Sequence, residues 1–195
     1  MTTCAWHRNA QAARSTLGLA SMTVRTVVVG APPAEVQAWL DRRCALGQDL
    51  FDEVWEGEYH VAPAPHRGRG DVDDQLAAIL RPTARAVGLW PSGPLNIGEP
   101  NDYRVPDRAY LRTRDATTFT STAAIVVEIV LPGDETRSKL GFYFAAGVEE
   151  LLVIDPEART VEWWTRGTDG FVRSDTSALL DLPATEVHAA IDWPS

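Results

Sequence analysis

Glu128 stands in the middle of an apolar run, Ile125-Val126-Val127-Glu128-Ile129-Val130-Leu131. The β-branched residues, with Thr and Ser before them and Pro132-Gly133 after, read as a buried strand. A lone carboxylate there is costly unless it is paired, protonated or bound to a metal. Asp107 follows Pro106 in a second apolar segment, Tyr103–Leu111, and Lys139 lies just beyond the Glu128 strand. Side chains alternate along a strand, so Asp107 should share the face of Val105, Ala109 and Leu111, opposite Arg104, Arg108, Tyr110 and Arg112. Glu128 should share the face of Val126 and Val130. Two carboxylates on the inner faces of adjacent strands can hold one hard divalent cation such as Mg²⁺. Such an ion acidifies a bound water and neutralises charge building on phosphorus. A neighbouring ammonium can orient that water or stabilise the phosphoryl oxygens. Asp, Glu and Lys together are therefore a kit for phosphodiester hydrolysis. Taken singly, Asp107 also suits a turn and Lys139 a solvated helix face. Glu128 is the member whose desolvation argues most directly for function.

The elements that must position these groups can be read along the chain. Pro32-Pro33-Ala34-Glu35 opens a helix carrying Val36 and Leu40. Leu50–Val61 reads as an acidic hairpin turning at Glu56-Gly57, followed by a Pro/Gly/Arg loop over Ala62–Gly70. Asp71–Val87 has a helical apolar stripe, Val72, Leu76, Ile79, Leu80 and Val87, with Pro82 as a kink or split. Strands are expected at Leu89–Ile97, Tyr103–Leu111 and Ala124–Leu131. Glu135–Ala146 should be a helix, capped by Asp134 and stopped by Gly147. Strands at Glu150–Ile154, Thr160–Thr165 and Phe171–Ser174 follow, with a helical piece at the end. The order predicts an α/β fold with a mixed central sheet flanked by helices.

Composition bounds the reading. The chain has 195 residues, is 45% hydrophobic and carries a net charge of −9, which suits one domain with a real core. That charge argues against a protein that coats nucleic acid, but not against one basic cleft. Residues 1–21 lack apolar periodicity and a signal-peptide core, and are expected to be a disordered extension or an over-long start, leaving 22–195 as the domain. Cys4 and Cys44 show no metal-like spacing and no disulfide framework, so a reducing, cytoplasmic setting is expected, with no membrane span. Arg67-Gly68-Arg69-Gly70 reads as a solvated loop that could touch phosphate. His60, His66 and His188 read as structural or exposed, and Asp73-Asp74 and Glu149-Glu150 as solvated. One of Trp163 and Trp164 should be core and the other outward.

Pro106-Asp107, Val126-Val127-Glu128-Ile129-Val130 with Pro132, and Lys139-Leu140…Tyr143…Ala146-Gly147-Val148…Val153-Ile154-Asp155-Pro156 keep a shared order and spacing. With Glu53–Glu58 and Ala62–Pro65 upstream, residues 50–165 resemble the Uma-type “putative restriction endonuclease” family, a branch of the PD-(D/E)XK nuclease superfamily. The resemblance implies a restriction-endonuclease-like fold with a Mg²⁺ site at one sheet edge. It places Asp107 and Glu128 as metal ligands and Glu53 as a supporting metal or water ligand. In the superfamily's basic pattern the lysine falls two residues after the second acid, where this chain has Val130. In this branch the lysine moves to the following helix, which makes it Lys139. Two positions depart from the family: Leu131 where serine is frequent, and Arg69 where histidine is common.

The leading expectation is a Mg²⁺-dependent endodeoxyribonuclease, with Mn²⁺ able to substitute, DNA as substrate and a homodimer possible. Two rivals stand beside it. One is a catalytically silent homodimeric interaction module on the same fold. The other is a hydrolase of a small phosphate compound, which the acidic surface suits.

Overall fold

The computed structural model describes residues 26–62, 67–130 and 135–194. The stretch 1–21 and the proposed cap Asp134 lie outside them. In chain order the elements are β1 (Thr26–Val28), α1 (Ala34–Ala45), β2 (Glu53–Trp55), β3 (Glu58–Val61), α2 (Arg67–Ala86), β4 (Trp90–Ser92), β5 (Asn96–Glu99), β6 (Asp102–Arg104), β7 (Arg108–Leu111), β8 (Phe119–Thr120) and β9 (Ile125–Ile129). A 3₁₀ turn (Thr136–Lys139) leads into α3 (Leu140–Ala145). Then come β10 (Glu150–Asp155), β11 (Thr160–Arg166), β12 (Phe171–Ser174), β13 (Thr176–Ser177), β14 (Leu182–Pro183) and α4 (Ala184–Ala190).

The strands form two six-stranded sheets, β1-β3-β2-β6-β5-β8 and β12-β11-β10-β9-β7-β4, and one small pair, β13-β14. The fold is mixed α/β with mixed sheets and flanking helices, as expected, but the single central sheet is divided in two. Proline does the dividing. Leu89–Ile97 and Tyr103–Leu111 were each expected to be one strand. Each breaks, at Gly93-Pro94-Leu95 and at Val105-Pro106-Asp107, and passes from one sheet to the other. Proline has no N–H for the ladder, so it interrupts a strand paired on both sides, while Pro91 is tolerated in β4 at the edge of its sheet. Asp107 therefore stands at a junction between sheets, just before β7 begins. The predicted alternation holds only from Arg108 onward.

β9 is the axis of the second sheet. It runs parallel to β10 and antiparallel to β7, and all five of its residues are buried. Burial on both faces explains a nearly unbroken apolar run. On one face Ile125, Val127 and Ile129 pack with Tyr110, Trp163, the α2 stripe Val72, Leu76 and Leu80, and Val187 of α4. On the other, Val126 packs with Ala109, Leu151, Ile97 and Tyr143 of α3. Glu128 shares the second face.

Several expectations are corrected. α2 begins at Arg67, so Arg67–Gly70 is helix and not a solvated loop, and Pro82 is accommodated inside the helix. Val87 is exposed, and Ala84 takes its place in the stripe. The helix expected over Glu135–Ala146 is a 3₁₀ turn followed by six residues of α-helix, with Gly147 (φ 82°) ending it as foreseen. The hairpin turn holds Glu56 and Gly57 at φ 50° and 89°, the left-handed pair that tight hairpins require. Trp163 is the core tryptophan, and Trp164 faces the opposite way, half-buried beside the second cluster. No helix among the described residues is long and apolar enough to cross a membrane.

Candidate active site

Four elements deliver four charged side chains to one buried point. Glu53 comes from β2 in the first sheet, Asp107 from the crossing before β7, Glu128 from β9 and Lys139 from the 3₁₀ turn. Their exposures are 1%, 4%, 2% and 4%, so all are withdrawn from bulk water. Lys139 Nζ lies 2.7 Å from Glu53 Oε1 and 3.1 Å from Glu128 Oε1. One ammonium thus joins carboxylates from two different sheets. A buried ammonium is tolerated only with such partners.

Each carboxylate has further supports. Glu53 accepts from the Val105 amide at 2.9 Å and from Trp55 Nε1 at 2.8 Å. Asp107 accepts from the Ile129 amide at 2.8 Å through Oδ2, and pairs with Arg69 Nε at 2.5 Å through Oδ1. Glu128 accepts the Tyr143 hydroxyl at 2.6 Å. These bonds fix both the position and the rotation of the acid groups.

The charges do not cancel. Three carboxylates, Glu53, Asp107 and Glu128, face two cations, Lys139 and Arg69. The Glu128 carboxyl is raised to about 7: burial drives the rise, Lys139 opposes it, Asp107 and Glu53 add to it, and the Tyr143 bond lowers it. The Tyr143 phenol is itself held well above its usual range by burial and by Glu128, so it stays protonated and donates. Glu128 is thus poised to exchange its proton for another positive partner near neutral pH.

In kind, these groups suit Mg²⁺: hard carboxylate oxygens in a dry site with negative charge in excess. Among the described residues no three His, Cys, Asp or Glu side chains stand at metal-holding spacing. The reason is local: Lys139 stands between Glu53 and Glu128, and Arg69 engages Asp107.

All four residues singled out in the sequence meet here. Three others do as well. Tyr143 follows Lys139 by four residues, a spacing that puts both on one side of a helical segment and could have flagged it. Arg69 was assigned to solvent, yet it sits where the family commonly has histidine and reaches Asp107. Trp55 lies two residues after Glu53 on β2, so strand alternation puts its indole on the same face, a signal that could have flagged it. Nearby, Arg104 is buried between the rings of Trp55 and Phe142, 4.4 Å and 4.1 Å from their centroids. His60 is buried and stacked on Trp55, while His188 is at the surface. Two acids expected to be solvated are engaged by partners instead, Asp73 half-buried and Glu150 buried. Asp73 pairs with Arg108 at 2.6 Å, and Glu150 is buried beneath Ser177, Ala178 and Leu179, which all donate to it.

A restriction-endonuclease-like arrangement of sheets, with acids and a lysine gathered where the two meet, defines the class. The Uma2 family, described as “Putative restriction endonuclease”, matches residues 37–190. The chain belongs to that family. Among solved structures it is similar to a protein from Anabaena variabilis described as a putative nuclease belonging to DUF820, with a TM-score of 0.57 and 14% identity. The match covers 71% of this chain and 90% of that one, and at this identity it speaks for the fold alone. No curated protein matches the sequence.

Proposed function

We propose that this protein is a metal-dependent endonuclease that hydrolyses phosphodiester bonds of DNA, with Mg²⁺ as the ion and Mn²⁺ as a substitute. Family membership supports a nuclease. The observation that carries the finer reading is Lys139, held buried between Glu53 and Glu128 with Asp107 alongside. A structural ion pair needs one acid; this site gathers three.

Asp107 and Glu128 would hold the ion, with Glu53 as a further support. When bound, the ion supplies an acidified water and neutralises charge on the phosphoryl group. The protein's own groups do the rest. Tyr143 ties one oxygen of Glu128 and so orients the other. The Ile129 amide fixes Asp107 by one oxygen in the same way. Lys139 supplies an ammonium that can orient the attacking water and stabilise the phosphoryl oxygens. Arg69 neutralises Asp107 while no other cation is near.

The test is cleavage of supercoiled plasmid and of single-stranded DNA in Mg²⁺, Mn²⁺ or EDTA, with Asp107→Ala and Lys139→Met beside the wild type. The expected result is cleavage that EDTA abolishes and that both variants lose. Equal cleavage by Asp107→Ala would overturn the site. No cleavage under any condition would favour the silent interaction module or the small-phosphate hydrolase.

A further inference from the structure

We propose that Arg137 and Arg173 form a phosphate-backbone clamp beside the candidate active site, held ready by Glu162 until a nucleic-acid strand arrives. The proposal rests on the nuclease reading and deepens it by naming where the substrate backbone is gripped.

Register places the cluster. Glu128 pairs with Val153 across β9 and β10, and Val153 pairs with Glu162 across β10 and β11. Directly paired residues point to the same side of a sheet. Glu162 therefore lies on the Glu128 face, two strands away, or roughly 10 Å at the usual strand spacing. Duplex DNA rises about 3.4 Å per phosphate along one strand, so a backbone crossing the site would present a phosphate here within about three nucleotides.

Two arginines converge on that point from different elements. Arg137 comes from the 3₁₀ turn that also carries Lys139; the turn buries Lys139 and leaves Arg137 outside. Arg173 comes from β12 and stands opposite Trp164. Arg137 Nη2 lies 3.5 Å from both oxygens of Glu162, and Arg173 Nη2 lies 3.4 Å from one. Both arginine side chains are well exposed, at 65% and 61%, whereas the Glu162 side chain is at 9%. Trp164 Nε1 donates to Glu162 at 3.1 Å and holds it in place.

These contacts are long for charge-assisted hydrogen bonds, which usually close to 2.7–2.9 Å. Exposed pairs of this kind add little to stability. Two guanidiniums share one carboxylate, so a positive surplus remains at this spot on a chain of net charge −9. A guanidinium has five N–H donors in a fork that matches phosphate oxygens. A phosphate approaching the pair meets donors already gathered, and the loose contacts to Glu162 are easily exchanged.

The test is fluorescence anisotropy of a short labelled DNA duplex and single strand, in EDTA, across a salt series. The Arg137→Gln/Arg173→Gln double variant is compared with wild type, Asp107→Ala and Glu162→Gln. The double variant should keep its melting temperature, since both residues are exposed. It should bind DNA about tenfold or more weakly, with the salt slope reduced by about two. Glu162→Gln should bind more tightly than wild type. If wild type binds DNA and the double variant has the same affinity and slope, the clamp is wrong and the nuclease reading stands. If wild type binds no DNA at any salt, both fall.

Discussion

Tyr143 donates its hydroxyl to Glu128 Oε1 across 2.6 Å, with both groups fully inside the protein. The same Oε1 also faces Lys139 at 3.1 Å. One oxygen of Glu128 is therefore tied by an uncharged donor and an ammonium. Tyr143→Phe removes the first tie and keeps the ring. A hydrogen bond to a charged group contributes about 1.5–3 kcal/mol, so this variant should lose stability of that order. Activity should fall about tenfold or more at neutral pH, with the acid limb of its pH profile moved upward. A profile that keeps its shape would mean Tyr143 serves packing alone.

Arg69 and Asp107 form a second tie. Arg69→Met frees Asp107 Oδ1 while the Ile129 amide still holds Oδ2. Removing a competing cation should tighten Mg²⁺ binding about tenfold, equivalent to 1.4 kcal/mol, as read by titration calorimetry. Unchanged or weaker affinity would make Arg69 a partner in metal binding, not a rival to it.

Glu128 sets a pH dependence. Its carboxyl is raised from 4.5 to about 7, mainly by burial. A raised pKa means the folded state binds that proton more tightly than the unfolded chain does. The stabilising contribution is complete below about 4.5 and is lost as pH rises through about 7. In EDTA, wild type should therefore lose stability relative to Glu128→Gln between those values, measured by urea unfolding. Adding Mg²⁺ above pH 7 should restore wild type and leave the variant unchanged. A gap independent of pH would show that Lys139 keeps Glu128 ionised throughout.

Glu150 provides a contrast between a structural acid and the site acids. Its carboxylate accepts from Ser177 Oγ at 2.5 Å, the Ala178 amide at 2.7 Å and the Leu179 amide at 3.2 Å. Glu150→Ala leaves those donors without their acceptor and should cost about 2–4 kcal/mol. Activity per folded molecule should survive. Loss of activity at full folding would give Glu150 a role that its position does not suggest.

Much of this was legible in the residues alone. The apolar run around Glu128 announced a central strand, because a strand covered on both faces has no room for alternation. The same run made the carboxylate conspicuous, since only burial makes a charge anomalous. The α2 stripe and the hairpin turn followed from periods of 3.6 and from the glycine at a left-handed position. Asp107, Glu53 and Lys139 were reachable through spacing and resemblance.

Tertiary structure decided which of these groups meet. No local rule states that Pro94 and Pro106 carry two strands from one sheet into another, yet that crossing is what sets Asp107 beside Glu128. No local rule distinguishes Glu150 from Glu149, or Arg69 from Arg67, because each pair has the same chemistry only one or two positions apart. Their fates depend on which side chain faces a partner far away in sequence: Ser177 for Glu150, Asp107 for Arg69. Sequence reports a residue's chemistry and its period. The electrostatic partners that turn four scattered charges into one site are long-range contacts, and only the folded chain brings them together.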